Sequence, residues 1–373
     1  MKVTIERGTL LKALSHVQSV VERRNTIPIL SNVLMRAEGG TLALTATDLD
    51  IEIIEKVPAD AEQPGAITAP AVTLFDIVKK LPDGTQVALD SGDGSGRLKV
   101  VAGKSSFELA VLPDQDFPSL AQEEEGQNFT MPTAALRRLI DKTRFAMSQE
   151  ETRYYLNGIY FHAATDEEEI PALRAVATDG HRLARLDMDL PAGADGMPGV
   201  IVPRKAVLEL RRLLDDAGDE ITVSVSNAKI RFSFDDIVLT SKLIDGTFPD
   251  YARVIPVGND KIMTVENDDF RRAVDRVSTV SADKTRSVKL ALGDDHLQLL
   301  VNNPETGSAT EDLSVDYKNE AIDIGFNAKY ILDIADQVDG ETAVFHFADA
   351  ASPTLVKDQD DPRAVYVLMP LRV

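Results

Sequence analysis

Three stretches of this chain, spaced by about 130 residues, open on a threonine and run into the same pattern of apolar and basic positions. Counted from Thr4, Thr130 and Thr264, the sixth following residue is Leu10, Leu136 or Phe270. The eighth is Lys12, Arg138 or Arg272, and the tenth is Leu14, Ile140 or Val274. A short extended segment feeding a helix satisfies that spacing, because apolar residues four apart share one helical face.

A second helical pattern follows each of the first. Pro70 opens a segment with Leu74, Ile77, Val78 and Leu81; Pro203 opens one with Val207, Leu210 and Leu214; Asn327 opens one with Ile331, Ile334 and Val338. The prolines are expected in the first helical turn, where a missing N–H costs nothing. Leu112 and Leu243 each stand five residues before a Phe-Pro pair, Phe117-Pro118 and Phe248-Pro249. The chain thus reads as three copies of one module, with boundaries expected at 1–127, 128–258 and 259–373. Between the helices the pattern changes to period two, in segments such as Thr41 to Ile54, Ala175 to Leu186, Ile221 to Phe234 and Asp295 to Val301, separated by Gly, Asp and Asn turns. Each module is therefore expected to be α+β, antiparallel strands with two helices laid on one side.

Charge is distributed unevenly. The whole chain carries −21, which by itself argues against a polyanionic partner. The six expected helices, at 8–24, 71–82, 133–146, 203–214, 268–282 and 327–337, together carry +8, leaving −29 for everything else. In the first helix Leu10, Leu14, Val17 and Val21 form one stripe and Lys12, His16, Ser19 and Arg23 another. Arg204 and Arg211, like Lys205 and Arg212, lie seven apart on the fourth helix. The third module dilutes the pattern, since Arg271, Arg272 and Arg276 are offset by Asp268, Asp269 and Asp275. The acidic runs Glu123 to Glu125 and Asp166 to Glu169 read as solvated loops.

If the modules join end to end with their helices on one side, the assembly curves around a basic inner wall. Helices pack about 8–10 Å apart, so six in a circle span only about 17 Å between axes and fill it with side chains. Twelve span about 35 Å, and after about 5 Å of helix on each side some 25 Å stays open. A duplex of roughly 20 Å passes only the larger opening. Two chains closing head to tail are the smallest ring that admits it. Such a ring holds DNA by topology, with few interchangeable phosphate contacts and no reading of bases.

Catalysis finds little support. The histidines 16, 162, 181, 296 and 346 are scattered, cysteine is absent, and there is no P-loop, GxSxG or HExxH. No catalytic residue, metal or cofactor is expected. Asp48 with Asp50 and Asp187 with Asp189 each place two carboxylates on one strand face, a pattern open to Mg²⁺ but also to ordinary turn charge. The absence of cysteine, of a signal-peptide core after Met1 and of an apolar run of about 20 residues leads to the expectation of a cytoplasmic protein without membrane contact.

The run Ala177-Thr-Asp-Gly-His-Arg-Leu-Ala184 resembles the bacterial DNA polymerase III beta-subunit family of processivity sliding clamps. So do Arg153 to Gly158, Ile201 to Lys205, Phe248 to Tyr251, Met369 to Val373, the opening Met1-Lys-Val3 and Ile27 to Leu30. The resemblance covers the whole chain and implies a DNA-clamp fold: a head-to-tail homodimeric ring threaded by double-stranded DNA. Its partners would be the replicative polymerase, the clamp loader and repair polymerases, docking through short linear motifs. Carried over by position, the partner groove comprises Leu156, Thr178, Gly180, His181, Arg182, Leu183, Pro249, Arg253, Val254 and Val367, Leu368, Met369, Pro370, Leu371, Arg372 and Val373. Arg153, Tyr155, Asn327 and Tyr330 stand at its edge. The resemblance implies DNA contacts at Arg24, Tyr154, Arg204 and Lys205, and the basic helical positions Lys79, Lys80, Arg137, Arg138 and Lys142 join them. It also implies a protomer seam where Phe107 and Leu109 meet the region of Val280. The sequence departs from the family at Glu150, where a neutral or polar residue is expected, and at Val72 and Thr73, where basic residues are expected.

Overall fold

The strands carry the fold, and each of the six α-helices among the described residues starts where a strand stops, without a connecting loop. The computed structural model describes residues 1–22, 26–92, 96–120, 126–166, 168–281 and 286–372. Strands Lys2–Glu6, Gly65–Pro70, Gln127–Pro132, Val200–Pro203, Lys261–Glu266 and Ile322–Asn327 lead directly into helices α1 (Arg7–Val17), α2 (Ala71–Lys80), α3 (Thr133–Thr143), α4 (Arg204–Leu213), α5 (Asn267–Ser278) and α6 (Ala328–Ala335). Two kinds of residue make these junctions. Glu6, Glu266 and Asn327 keep an extended backbone and accept the N–H of Thr9 (2.9 Å), Asp269 (2.5 Å) and Lys329 (2.9 Å), satisfying donors that have no partner inside the helix. Pro70, Pro132 and Pro203 end the other three strands. The prolines expected inside the first helical turn thus lie one residue earlier, as the last strand residue. There a strand loses nothing by giving up a final donor.

The repeat is visible in burial. Thr4, Thr130 and Thr264 sit within the three leading strands. Leu10, Leu136 and Phe270 are buried, as are Leu14, Ile140 and Val274, while Lys12, Arg138 and Arg272 are exposed. Several helices end earlier than the apolar spacing suggests. The first passes at Gln18–Val20 into a 3₁₀ turn, so Val21 closes the core from beyond the helix. Arg23 of the expected basic stripe lies outside the described residues, as do Glu123 to Glu125 and Glu167 of the acidic runs.

By internal contacts the chain divides into two compact units. The first comprises Met1–Leu136, Pro191–Pro198 and Lys205–Leu243. It holds a five-stranded antiparallel sheet that ends at strand Ser105–Ala110 and an eight-stranded sheet. The eight-stranded sheet joins the first two repeats, because strand Ile51–Pro58 pairs with Ile237–Lys242, Ile53 opposite Leu239. The second unit comprises Arg137–Leu190, Gly199–Arg204 and Ile244–Val373. Its four-stranded sheet ends at Gly307–Ser314, and its nine-stranded sheet pairs Arg182–Asp189 with Asp361–Leu368.

One residue of the expected basic stripe is not at the surface. His16 is 4% exposed, bonded through Nδ1 to Glu55 (2.8 Å) and through Nε2 to Asp216 (3.0 Å), with Lys12 3.7 Å from the same aspartate. Arg212 donates to the carbonyls of Ser15 (3.1 Å) and His16 (2.8 Å), closing the C-terminal end of α1. Helical periodicity places His16 with the polar residues, but the carboxylate of strand Ile51–Pro58 beneath it makes burial of a cation affordable. Burial pushes the imidazole pKa down, and the bonds to Glu55 and Asp216 more than reverse that, so the pKa stands above its ordinary value. A raised histidine pKa adds stability that is complete below the unfolded value of about 6.5 and disappears as pH rises through the folded value. The urea midpoint of the first unit should therefore fall as pH is raised from about 6 to about 8.5. A His16→Leu chain should lose that slope, with its largest deficit at the acid end; equal slopes in both proteins would show that His16 is not the titrating group.

Candidate functional site

The turn between strands Pro171–Thr178 and Arg182–Asp189 is built by its own side chains. The Thr178 hydroxyl donates to the Arg182 carbonyl (2.7 Å) and accepts the Gly180 N–H (3.1 Å). Asp179 Oδ1 accepts the N–H groups of His181 (2.9 Å) and Arg182 (3.0 Å). Gly180 has φ +87°, and a Cβ there would lie 2.5 Å from Arg153 Nη1. The backbone conformation favours glycine, and a Cβ would in addition push the Arg153 guanidinium aside.

Arg182 is the cation of this region, and it is nearly buried. Its guanidinium donates to Asp179 Oδ2 (3.1 Å), to Asp333 and to the Phe145 carbonyl (2.6 Å), and it lies over the rings of Tyr330 (4.4 Å) and Phe145 (5.1 Å). Two carboxylates, one carbonyl and two ring faces thus satisfy a planar donor fork that would otherwise be costly to bury. His181 is exposed and stacks on Tyr330 at 6.2 Å.

Beside this turn Leu156, Val176, Leu183, Ile201, Phe248 and Val367 form one apolar cluster, with Tyr155, Tyr160 and Tyr251 half-buried against it. The C-terminal segment is held to the turn by backbone bonds. Arg182 pairs with Leu368 and Leu183 with Val367; beyond the strand, Met369 N–H donates to the His181 carbonyl (2.9 Å) and Leu371 N–H to that of Gly325 (2.8 Å). Met369, Pro370 and Leu371 are half-buried and Arg372 is exposed, while Val373 lies outside the described residues. Pro249, Arg253 and Val254 stand exposed on the neighbouring loop, with Arg253 paired to Asp250 (2.8 Å). Asn327 is engaged at the start of α6. The result is a buried apolar cluster whose rim is lined by half-buried tyrosines and exposed loop residues. Its chemistry is that of a seat for a short linear segment with apolar anchors.

The departures from the family pattern acquire a reason at Glu150, which holds Arg153 through two bonds (2.8 and 2.7 Å). The Arg153 guanidinium keeps the Glu150 carboxyl below its usual pKa. The paired aspartates are likewise committed. Asp48 accepts two backbone N–H groups and bonds Lys205, and Asp50 pairs with Lys242 (3.0 Å). Asp187 holds Arg174 (2.6 Å) and Asp189 pairs with Arg363 (2.8 Å).

The expected DNA-facing residues fall into distinct environments. Lys79, Lys80 and Arg138 are exposed, Tyr154 is 53% exposed, and Arg137 and Arg204 are half-buried. Arg138 pairs with Asp361, and Lys205 is bonded to Asp48 and lies 3.3 Å from Glu22. Lys142 departs from expectation: it is buried, 2.7 Å from Asp339, and bonded to the Gln337 carbonyl. Two of its three donors are thus engaged and the side chain is covered by its own unit, which leaves it poorly placed to reach a phosphate. Arg24 lies outside the described residues. At the expected seam, Phe107 is half-buried and Leu109 is buried within its own unit, so the Leu109 side chain is not exposed at the edge. Val280 is half-buried and its carbonyl accepts the Thr306 hydroxyl.

Tyr160, His162, Arg174 and Tyr251 also converge on the apolar cluster, and no periodicity in the sequence singles them out as a group. The Phe248-Pro249-Asp250-Tyr251 run was the one signal that pointed to the place.

Comparison with known proteins is consistent along the entire chain. Family models described as the N-terminal, central and C-terminal domains of the DNA polymerase III beta subunit match residues 1–121, 130–250 and 252–372. The beta sliding clamp of Caulobacter vibrioides is 57% identical over 373 residues, and that of Pseudomonas aeruginosa 42% over 374, each match covering both proteins completely. Among solved structures, a sliding clamp of Bartonella birtlesii bound to griselimycin has a TM-score of 0.97 at 50% identity, with full coverage of both chains. A beta sliding clamp of C. crescentus with PEG bound has a TM-score of 0.98 at 58% identity, covering 100% of this chain and 99% of the other.

Replacing Arg182 by Met leaves Asp179 and Asp333 without their shared cation and should lower the stability of the second unit by about 2–3 kcal/mol. Arg182→Lys should recover only part of this, because one ammonium cannot serve the same five partners. Urea unfolding measures both; a midpoint unchanged in Arg182→Met would refute the anchoring role.

Proposed function

This chain belongs to the DNA polymerase III beta-subunit family, and we propose that its work as a sliding clamp is divided between a peptide groove in the second unit and basic positions along the helices. The protein is a processivity factor and not an enzyme. Two copies close head to tail around duplex DNA, and polymerase, clamp loader and repair polymerases are tethered to the ring. Tethering raises the effective concentration of a polymerase at the primer end without any new contact to the bases.

One observation carries the groove assignment: the turn Thr178 to Arg182 and the segment Met369 to Arg372 lie together against one apolar cluster, joined by the bond from Met369 N–H to the His181 carbonyl. A leucine or phenylalanine of a linear motif would enter beside Leu156, Leu183 and Val367, with Arg153, Tyr155, Pro249, Arg253, Val254 and Tyr330 around it. Toward DNA we assign Lys79, Lys80, Arg137, Arg138, Tyr154 and Arg204. Lys205 contributes as the half-buried cation of an ion-pair cluster, and Lys142 is left out because it is buried. For the seam, strands Ser105–Ala110 and Gly307–Ser314 each end a sheet and offer an unpaired edge. Val280 stands beside the second of these edges through Thr306, and Phe107 is the apolar contact of the first. The three modules at 1–127, 128–258 and 259–373 are the duplicated building blocks. No helix among the described residues is long and apolar enough to cross a membrane, and we place the protein in the cytoplasm with the replication machinery.

Retention on DNA separates encirclement from grip. A complex loaded on a closed circle should persist at least about tenfold longer than the same complex after the circle is cut, at equal ionic strength. Equal lifetimes on both would overturn topological binding. Removing Met369 to Val373 should abolish binding of a Leu-Phe-anchored peptide, measured by fluorescence anisotropy, while sedimentation still reports the dimer. A truncated chain that binds the peptide normally would overturn the groove assignment.

A further inference from the structure

Behind the apolar cluster of the second unit lies a set of hydrogen bonds whose proton positions are all determined. His162 Nδ1 is 2.9 Å from the Ala163 carbonyl, which can only accept, so Nδ1 carries the proton. In the neutral imidazole, which burial favours, Nε2 is then an acceptor, and the Tyr251 hydroxyl stands 2.9 Å from it. The Tyr251 oxygen accepts in turn from Arg174 Nη1 at 3.2 Å. Arg174 is fixed by two bonds to Asp187 (2.6 and 2.7 Å) and one to the Thr165 carbonyl (2.9 Å). The direction runs without conflict from guanidinium to phenol to imidazole to backbone.

The same residues form a continuous aromatic stack. Tyr160 lies on His162 at 4.7 Å and on Phe248 at 4.9 Å, nearly parallel to the latter, and Phe248 meets Tyr251 edge-on at 6.4 Å. Gly199 is required for this, since a Cβ there would fall 2.2 Å from the Tyr160 hydroxyl. Phe248, Tyr160 and Tyr251 belong to the apolar cluster proposed above as the peptide seat, and Phe248 immediately precedes the exposed Pro249.

We propose that His162 is a positioning residue of the peptide groove: as the neutral Nδ1–H tautomer it accepts the Tyr251 hydroxyl and, with the Arg174–Asp187 pair, holds the Tyr160–Phe248–Tyr251 wall in its binding conformation before a peptide arrives. This inference rests on the groove reading given under the proposed function. Its physical content is preorganisation. A wall fixed in advance does not lose side-chain freedom on binding, so affinity is gained without any contact between His162 and the peptide. The groups that face His162 are Tyr160 on its own strand, Arg174 and Asp187 on the next two strands, and Tyr251 from the loop; of the charged pair, Arg174 opposes a second positive charge and Asp187 favours it. Burial, the largest influence, holds the His162 pKa below its usual value, so the acceptor persists at neutral pH.

The test uses the full-length chain and a fluorescein-labelled peptide of about ten residues with adjacent leucine and phenylalanine anchors. Tyr251→Phe, which keeps the ring and removes only the hydroxyl, and His162→Leu should each weaken binding about five- to tenfold. The double variant should be scarcely weaker than either single one, because both break the same bond. His162→Gln, whose carbonyl oxygen can accept the hydroxyl, should recover at least half of the loss. Wild-type affinity should fall as pH drops from about 7 to about 5, where a protonated imidazole no longer accepts, and Tyr251→Phe should be nearly flat over that range. Additive losses, or wild-type affinity in Tyr251→Phe, would overturn the proposal, and the latter holds even if His162→Leu fails to fold. The truncation of Met369 to Val373 is the control: if it abolishes binding while Tyr251→Phe does not weaken it, His162 positioning falls and the groove stands. Peptide bound normally by the truncated chain sinks the groove itself.

Discussion

The pairing of strand Arg182–Asp189 with strand Asp361–Leu368 joins residues about 180 positions apart, and the apolar cluster beside the Thr178 to Arg182 turn exists because of it. Each backbone bond in that ladder is worth little alone. Together they bring Leu183 opposite Val367 and Arg182 opposite Leu368, and so deliver the last residues of the chain to a turn made in the middle of it. The register admits no slip, since a shift of one residue would turn Leu183 and Val367 away from the cluster they share with Leu156 and Phe248. A comparable ladder in the first unit, Ile51–Pro58 against Ile237–Lys242, fuses the first two repeats by the same means.

Much of this architecture is legible in the sequence because duplication repeats the signal three times. The strands that carry Thr4, Thr130 and Thr264, the buried positions at Leu10, Leu136 and Phe270, and the exposed cations at Lys12, Arg138 and Arg272 all follow from spacing alone. The turn at Thr178 to Arg182 is legible for a different reason: its hydrogen bonds are local, so the residue types that make them sit within five positions of one another. What the sequence hides is whatever depends on a neighbour distant along the chain. His16 shares helical spacing with surface cations, and only the arrival of Glu55 and Asp216 makes its burial favourable. Lys142 belongs by pattern to a basic face and by structure to a pocket closed by Asp339 and the Gln337 carbonyl. His162 looks isolated in sequence, yet it meets Arg174 and Tyr251 because strand pairing and the Phe-Pro loop bring them there.

Electrostatics shows the same distinction. Helical charge predicts where cations are, but not which of them are available. Arg182 and Lys142 are enclosed by carboxylates and carbonyls, Lys205 is attached to Asp48, and Arg153 is neutralised locally by Glu150. Burial of such groups is tolerable only with nearly complete satisfaction of their donors, which fixes their geometry and removes them from long-range attraction. Sequence-independent DNA binding asks little of any single side chain. Encirclement does not depend on any one of them, so Val72 and Thr73 in place of the expected basic residues, and the pairing of Glu150 with Arg153, are compatible with it.

The six loopless junctions between strand and helix have a mechanical consequence. Where strand and helix lie in one unit, as at α1, α2, α5 and α6, a helix that begins on the residue where a strand ends cannot pivot without dragging the ladder behind it. Met369 continues directly from strand Asp361–Leu368, so displacing it would likewise pull on the ladder that pairs Leu183 with Val367. Compliance is left to the outermost strands, which are supported along one flank alone.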